Sequence, residues 1–340
     1  MSTIYEIAKL AGVSPTTVSK VINDYPDVSD KTRENVKRIL KEKSFLPNSQ
    51  AQFLSTKKTW TLGIVYFEDV GVGLSHSFFS NVIEAVKKQS EIYGYSLLFG
   101  SKTNRLKNNT FLDYFKYRCV DGIVIICTDT NDKETLEMIR SDFPIVVIDM
   151  FNKNTSTVMS DNLKGCKLVV DYLYGLGHTK IAHIAGTYQA DNLASVTRIE
   201  GFIDSMKKLN LEIPKEYIVN GVNFEFDGGY NAMNELIKLK DRPTAIFAGC
   251  DKIALGAMEA IKKAGLRVPE DFSIIGFDDI EISRYVTPKL TTIMQQCDEI
   301  GREAIELLVK QINGKCKMKI NKIIPVKLVE RESCRRLNGK

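Results

Sequence analysis

The chain has 340 residues, 44% hydrophobic and 26% charged, with a formal net charge of +5. That length accommodates two domains and a small appendage, and no run approaches the ~18 consecutive apolar residues that read as a membrane span. The opening Met-Ser-Thr-Ile-Tyr-Glu lacks the apolar region of a secretory signal, so the protein is expected in the cytoplasm, without a membrane partner.

The charge is uneven. Residues 1–60 hold ten Lys/Arg against six Asp/Glu, which leaves a surplus of only one for the other 280 residues. A basic head on a near-neutral body suggests a polyanion partner for the head. Within it, Thr3-x-x-Glu6 is a capping box that starts a helix at Ile4. Ile4, Ile7, Ala8 and Ala11 share one face, and Gly12 ends the helix. Ser14 can cap a second helix, with Pro15 in its first position. Val18, Val21 and Ile22 then face inward, leaving Thr16, Thr17, Ser19 and Lys20 outside or on the flank. The stretch Asn23 to Pro26 breaks this helix. Ser29 caps a third, running to about Lys43, with Val36, Ile39 and Leu40 inward. Such a helix-turn-helix, with a polar and weakly basic second helix, suits the DNA major groove, although a generic helical hairpin has the same spacing. The following segment, Leu46 to Lys58, is too short to fold alone. Pro47 can start a helix with Ala51 and Leu54 on its apolar edge, but so short a helix is marginal in water and needs a partner chain or DNA to order it.

From Trp60 the texture changes. Apolar runs at 61–66, 95–100, 122–127, 144–149, 181–186, 245–249 and 273–278 alternate with amphipathic stretches at 78–93, 164–177, 197–209, 228–239, 251–264 and 298–312. Buried strands alternating with helices predict an α/β body of doubly wound parallel sheets, with enough βα units for two similar halves. Ligands of such folds bind at the carboxyl ends of the strands. The seven cysteines contain no C-x-x-C pair and fit free thiols in a reducing compartment. The three histidines (His76, His178, His183) lack metal-ligand spacing. No metal, and no other cofactor, is expected.

Specific motifs then accumulate. In the head, GVS (12–14) precedes TVSKVIN (17–23), VSxKTR (28–33) and Pro47-Asn48. In the body come GLGH (175–178), IAG (184–186), RxxGF (198–202), Asp251 to Gly256, GFDD (276–279) and PxLTT (288–292). In order and spacing this set resembles the lactose-repressor (LacI/GalR) family of transcription regulators over nearly the whole chain. The resemblance implies a helix-turn-helix domain at 1–46, a hinge segment at 47–59 and a two-lobed, periplasmic-binding-protein-like body at 60–340. Its first lobe would take about 60–161 and 291–321, and its second about 162–290 and 322–340. Three chain crossings would join the lobes, with a small effector between them. By the same resemblance Pro15, Thr16 and Lys20 match base-reading positions, and Tyr5, Thr17, Ser19 and Ser29 match phosphate contacts. Leu54 matches the hinge leucine that wedges into the minor groove. Ser14, Asn23 and Asn48, inside the matched motifs, count with these as DNA-facing candidates. Lys20 stands where many members carry Arg, replacing a bidentate guanine contact by a point charge.

In the cleft, Arg198 and Asp278 match the family's usual polar anchors for sugar hydroxyls, a guanidinium and a carboxylate that discriminate strongly when buried. Phe224 matches a position that often holds a stacking aromatic. His76, Ser77 and Phe79 follow the first strand and Gln295 lies past a short strand near the crossings, each a candidate effector contact; Asp149 and the pair Asp161-Asn162 follow later strands and could contact the effector or cap a turn. Cys250 falls where sugar-binding members usually have Asn or Ser, and a thiol is a poor hydroxyl partner. The resemblance implies a repressor of a carbohydrate-utilisation operon, paired as a homodimer on a pseudo-palindromic operator, with no catalytic residues. The absence of a leucine-heptad tail favours a dimer over a tetramer. The alternative within the same resemblance is a regulator that uses a co-repressor or a partner protein, and two rival readings outside it are weaker. Gly71 to His76 resembles half of a dinucleotide fingerprint, but lacks its third glycine and an acidic ribose anchor. A sugar-binding transport receptor would need neither the head nor cytoplasmic residence.

Overall fold

The computed structural model describes residues 3–45, 58–66, 73–100, 110–126, 132–188, 192–316 and 318–337. It comprises two compact units, Met1–Thr59 and Trp60–Lys340. In the first, α1 (Ile4–Ala11), α2 (Pro15–Ile22) and α3 (Asp30–Glu42) form the expected three helices. The capping box is complete. The Glu6 N–H donates to Thr3 Oγ1 at 3.3 Å, and the Thr3 N–H donates to the Glu6 carboxylate at 3.0 Å. Gly12 ends α1 at φ 68°, a left-handed conformation that a Cβ would strain. Ile7, Ala8, Val18, Val21, Val36 and Ile39 meet in one small core. Of the segment expected to form the hinge, residues 47–57, with Asn48 and Leu54, lie outside the described residues.

The second unit is built on two sheets. The first runs in the order β11-β5-β4-β3-β1-β2 and the second β12-β10-β9-β8-β6-β7. Their strands are β1 Thr61–Tyr66, β2 Ser96–Phe99, β3 Gly122–Ile126, β4 Ile145–Ile148, β5 Ser156–Ser160, β6 Ile181–Ala185, β7 Ile218–Asn220, β8 Ala245–Ala248, β9 Ser273–Asp278, β10 Thr291–Gln295, β11 Asn321–Ile324 and β12 Val326–Val329. All neighbours are parallel except β10 and β12, which run antiparallel. Each sheet repeats the 2-1-3-4-5 order of a doubly wound fold, whose binding crevice opens beside the first strand. Both faces of the strands are covered, which explains their continuous apolar character. In β3, Val124 and Ile126 pack under the Ser77–Ile92 and Cys297–Ile312 helices. Ile123 and Ile125 pack on the opposite face with Phe111, Phe115 and Met138. In the second sheet Ile246 and Ala248 face one core, and Ala245 and Phe247 the other.

The chain passes between the sheets three times, and two crossings differ from expectation. The first falls at Asp161, after β5. The second was expected at 290/291, but β10 is a strand of the second sheet and the crossing comes at Gln296. The reason is in the residues: Thr292 Oγ1 donates to buried Asp251 at 2.5 Å, and Ile293 enters the second-lobe core. The third crossing falls at Pro325 instead of 321, because β11 remains beside β5 in the first sheet. Among the described residues no helix is long and apolar enough to cross a membrane.

Candidate functional site

In the head, Tyr5 is 72% exposed. Thr16 is exposed on α2, while Pro15, Thr17, Ser19 and Lys20 are half-buried beside it. Three candidates prove to be engaged locally. Ser14 Oγ accepts from the Thr17 N–H at 3.1 Å and Ser29 Oγ from the Thr32 N–H at 3.4 Å, so both are helix caps. Asn23 Nδ2 donates back to the Ser19 carbonyl at 2.9 Å. Lys20 is paired with Asp27, their side chains being 41% and 54% exposed. An exposed pair of this kind is weak and leaves the ammonium available to a phosphate or a base.

In the body, the carboxyl ends of both sheets converge. His76, Ser77 and Phe78 from the first lobe and Phe224, Cys250, Lys252, Asp278 and Ile280 from the second enclose about 290 Å³ of solvent-open space. The centre of the charge arrangement is Arg198, 4% exposed on the Leu193–Lys208 helix. Its Nε donates to Asn162 Oδ1 at 2.9 Å and its Nη1 to the Gly249 carbonyl at 2.6 Å. The guanidinium stacks on the Phe277 ring at 3.8 Å. Its remaining Nη2 faces Asp278 Oδ1 at 3.9 Å. Gln295 Nε2 donates to the same carboxylate oxygen at 2.6 Å. Burial pushes the Asp278 and Asp149 carboxyls up to about 6, and the Arg198 charge opposes both shifts. Asp149 and Asp278 take left-handed φ values of 63° and 118°. Strain of this kind persists where packing over-determines the backbone.

Phe224 follows Val222 and Asn223, and all three have positive φ. This turn lays the ring over Gly186, where a Cβ would approach it to 2.0 Å. The Cys250 thiol donates to the Phe224 carbonyl at 3.4 Å, and burial pushes it well above the usual thiol range, so it is neutral. Two candidates take structural roles, for Asp161 the capping alternative already open to it. Phe79 is buried in the first-lobe core because the helix beginning at Ser77 turns it inward. The Asp161 carboxylate is occupied as a cap, accepting from the Lys164 N–H at 2.9 Å. His76 caps the Ser77–Ile92 helix through Nδ1 at 3.5 Å while still lining the cleft.

Sequence reasoning weighed Asn162 only as a contact or a turn cap, and it gave no role to several other residues that build the site. Asn162 fixes Arg198, Phe277 supports it, and Lys252 pairs with Glu225 at 3.0 Å beside the cleft. Asp251, fully buried, accepts from the Ile280 N–H at 2.9 Å, from Ser283 Oγ at 2.8 Å and from Thr292 Oγ1. Burial and the nearby Asp278 charge push its carboxyl up to about 8. It pins the loop that follows Asp278. A Cβ at Gly276 would come within 2.1 Å of Asp251 Oδ1, so the glycine and aspartate motifs already visible in the sequence are two halves of one contact.

Comparison with known proteins agrees with both units. The family described as bacterial regulatory proteins, lacI family, matches residues 3–48, and the periplasmic binding protein-like domain matches residues 170–334. The chain is 35% identical to the HTH-type transcriptional repressor PurR of Mannheimia succiniciproducens, over 99% of this chain and 100% of that one. It is 36% identical to the ribose operon repressor of Escherichia coli strain K12, over 92% and 93% of the two chains. Among solved structures, the lac repressor dimer bound to operator and the anti-inducer ONPF gives a TM-score of 0.82 at 27% identity, covering 98% of this chain and 99% of that one. The chain therefore belongs to the LacI family of bacterial regulatory proteins, DNA-binding transcriptional repressors with a helix-turn-helix head and an effector-binding body.

Proposed function

We propose that this repressor acts in the cytoplasm as a homodimer on a pseudo-palindromic operator of a carbohydrate-utilisation operon, and that a sugar or sugar derivative held between its two sheets releases it. The observation that carries the effector assignment is the 3.9 Å gap between Arg198 and Asp278. It is too long for a direct hydrogen bond. A hydroxyl, which both donates and accepts, can bridge them from the cleft side: it accepts from the guanidinium and donates to the carboxylate. Asp149, Gln295, Phe224, Cys250, His76 and Ser77 surround that position, with Phe224 offering an apolar face to a sugar ring. The identity with a ribose operon repressor supports the same class of ligand. In the head, Pro15, Thr16 and Lys20 are assigned to base edges, Tyr5, Thr17 and Ser19 to phosphates, and Leu54 to the minor groove. Two protomers then set two heads on two half-sites.

The test is fluorescence anisotropy of the full chain on a labelled palindrome from its own upstream DNA, at one fixed salt concentration, with a panel of sugars. Binding that one sugar reverses, in the wild type but not in Arg198→Lys, is the expected result. The lysine keeps the charge but cannot reproduce both bonds to Asn162 and Gly249. Release that persists unchanged in Arg198→Lys would remove the cleft assignment. Absence of binding to any palindrome would remove the operator assignment.

A further inference from the structure

The three crossings are tied to one another and to the effector anchors by a closed circuit of contacts. From Arg198 the circuit runs through Asn162 to its neighbour Asp161, at the first crossing. The Asp161 N–H donates to the Ile324 carbonyl at 2.9 Å, at the third crossing. Adjacent Pro325 accepts from Gln296 Nε2 at 2.7 Å, at the second crossing. Gln295, the preceding residue, donates to Asp278, which faces Arg198. Consecutive residues at the end of β10 thus point in two directions, one into the cleft and one across the hinge.

Gln296 occupies an odd position for this. It is the N-cap of the Cys297–Ile312 helix, yet its side chain makes no capping bond. Ser, Thr, Asp or Asn would satisfy the first-turn N–H groups there; the glutamine instead spans to another crossing. The helix it begins is seated on the first lobe, where Gly301 lies so close to Ala85 that a Cβ would approach its backbone to 2.6 Å. Hinge residues absorb the dihedral change of lobe motion, and a bond between two hinge segments makes them move together.

We infer that Gln296 is a positioning residue of the allosteric change: its bond to Pro325 joins the second and third crossings, so that a displacement of Asp278, passed through Gln295, reaches the first lobe. The consequence for DNA control rests on the effector cleft proposed above, but the geometry does not. The test therefore uses neither DNA nor effector. Amide hydrogen exchange is measured by mass spectrometry on the full chain, in peptides spanning Asp161 and Pro325, for wild type, Gln296→Glu and Gln296→Lys. Glutamate has the same shape but no donor, and its charge favours a helix N-terminus, so the thermal midpoint should not fall. Lysine restores a donor of similar reach.

Losing one hydrogen bond of ordinary net strength predicts about fivefold faster exchange at both crossings in Gln296→Glu, and rates near wild type in Gln296→Lys. Asp278→Asn should speed exchange of the amides flanking Pro325 in the wild-type background and add nothing in Gln296→Glu. Unchanged exchange in Gln296→Glu would overturn the inference. So would an increase spread evenly over the body with a lowered midpoint, or an Asp278→Asn effect of equal size in both backgrounds. If no sugar alters DNA affinity, the functional reading fails while these rates still decide the role of Gln296.

Discussion

Arg198 is buried with two of its nitrogens committed, its face on Phe277 and its third nitrogen facing Asp278, while Asp149 and Asp278 share that single guanidinium. The folded body therefore holds protons on these carboxyls at pH values where an unfolded chain has lost them. With both pushed up to about 6, the stability they contribute is complete below the ordinary carboxylate value and is lost as the pH rises through about 6. The proposed effector would have the opposite preference, since a hydroxyl donates to an ionised carboxylate. Effector affinity should fall as the pH drops from 7 to 5, while the ligand-free body gains thermal stability from these two groups. Calorimetric titration and thermal melts of wild type and Asp278→Asn measure both. The substitution should flatten each profile, and a wild-type affinity independent of pH would mean that Asp278 does not bind the effector as an ion. At this scale the sequence marked Arg198 and Asp278 through their motifs. Asn162, Phe277 and Asp251 stood in or beside those motifs without a settled role, because an amide, a ring and a third carboxylate carry no sign of their partners until the chain brings those partners near.

At the scale of elements, local rules decided most of the head. Its helix starts follow from Thr3, Ser14 and Ser29, each accepting from an N–H three residues on. Ser14→Ala should lower head stability by about 1 kcal/mol, seen as a reduced midpoint of the transition that reports the head. An effect on DNA binding with no loss of stability would instead give Ser14 a direct DNA contact. In the body, β1, β3, β4, β6, β8 and β9 were legible as apolar runs because both faces of each strand are covered. The pattern did not mark β5, whose buried Ser156 and Thr157 are satisfied by Gln311 and Asn321 far along the chain. Nor did it mark the short edge strands β7, β11 and β12, in which no more than two apolar residues follow one another. Phe79 and Asp161 follow a related rule. A loop candidate one turn inside a helix becomes core, and one at its start becomes a cap.

At the scale of the whole molecule, the basic surplus of the first sixty residues is the electrostatic counterpart of a phosphate backbone. Lys20→Ala should reduce the slope of log affinity against log salt by about one if its ammonium meets a phosphate. If Lys20 reads a base, the slope should hold while the substitution relaxes preference at one position of each half-site; measuring affinity at several salt concentrations on wild-type and altered operators separates the two. The division into a helical head and a doubly wound body was readable because caps, breakers and buried apolar runs act within a few residues of the chain. The order of motifs over almost the full length identified the family. What only the tertiary structure decided is where the chain changes lobes, at Gln296 and Pro325, and how Asn162, Asp251, Gly276 and Gln295 frame the cleft. Those choices rest on contacts between residues tens to more than a hundred positions apart, set by sheet order and by which buried polar groups find each other, and no local pattern encodes such a distance.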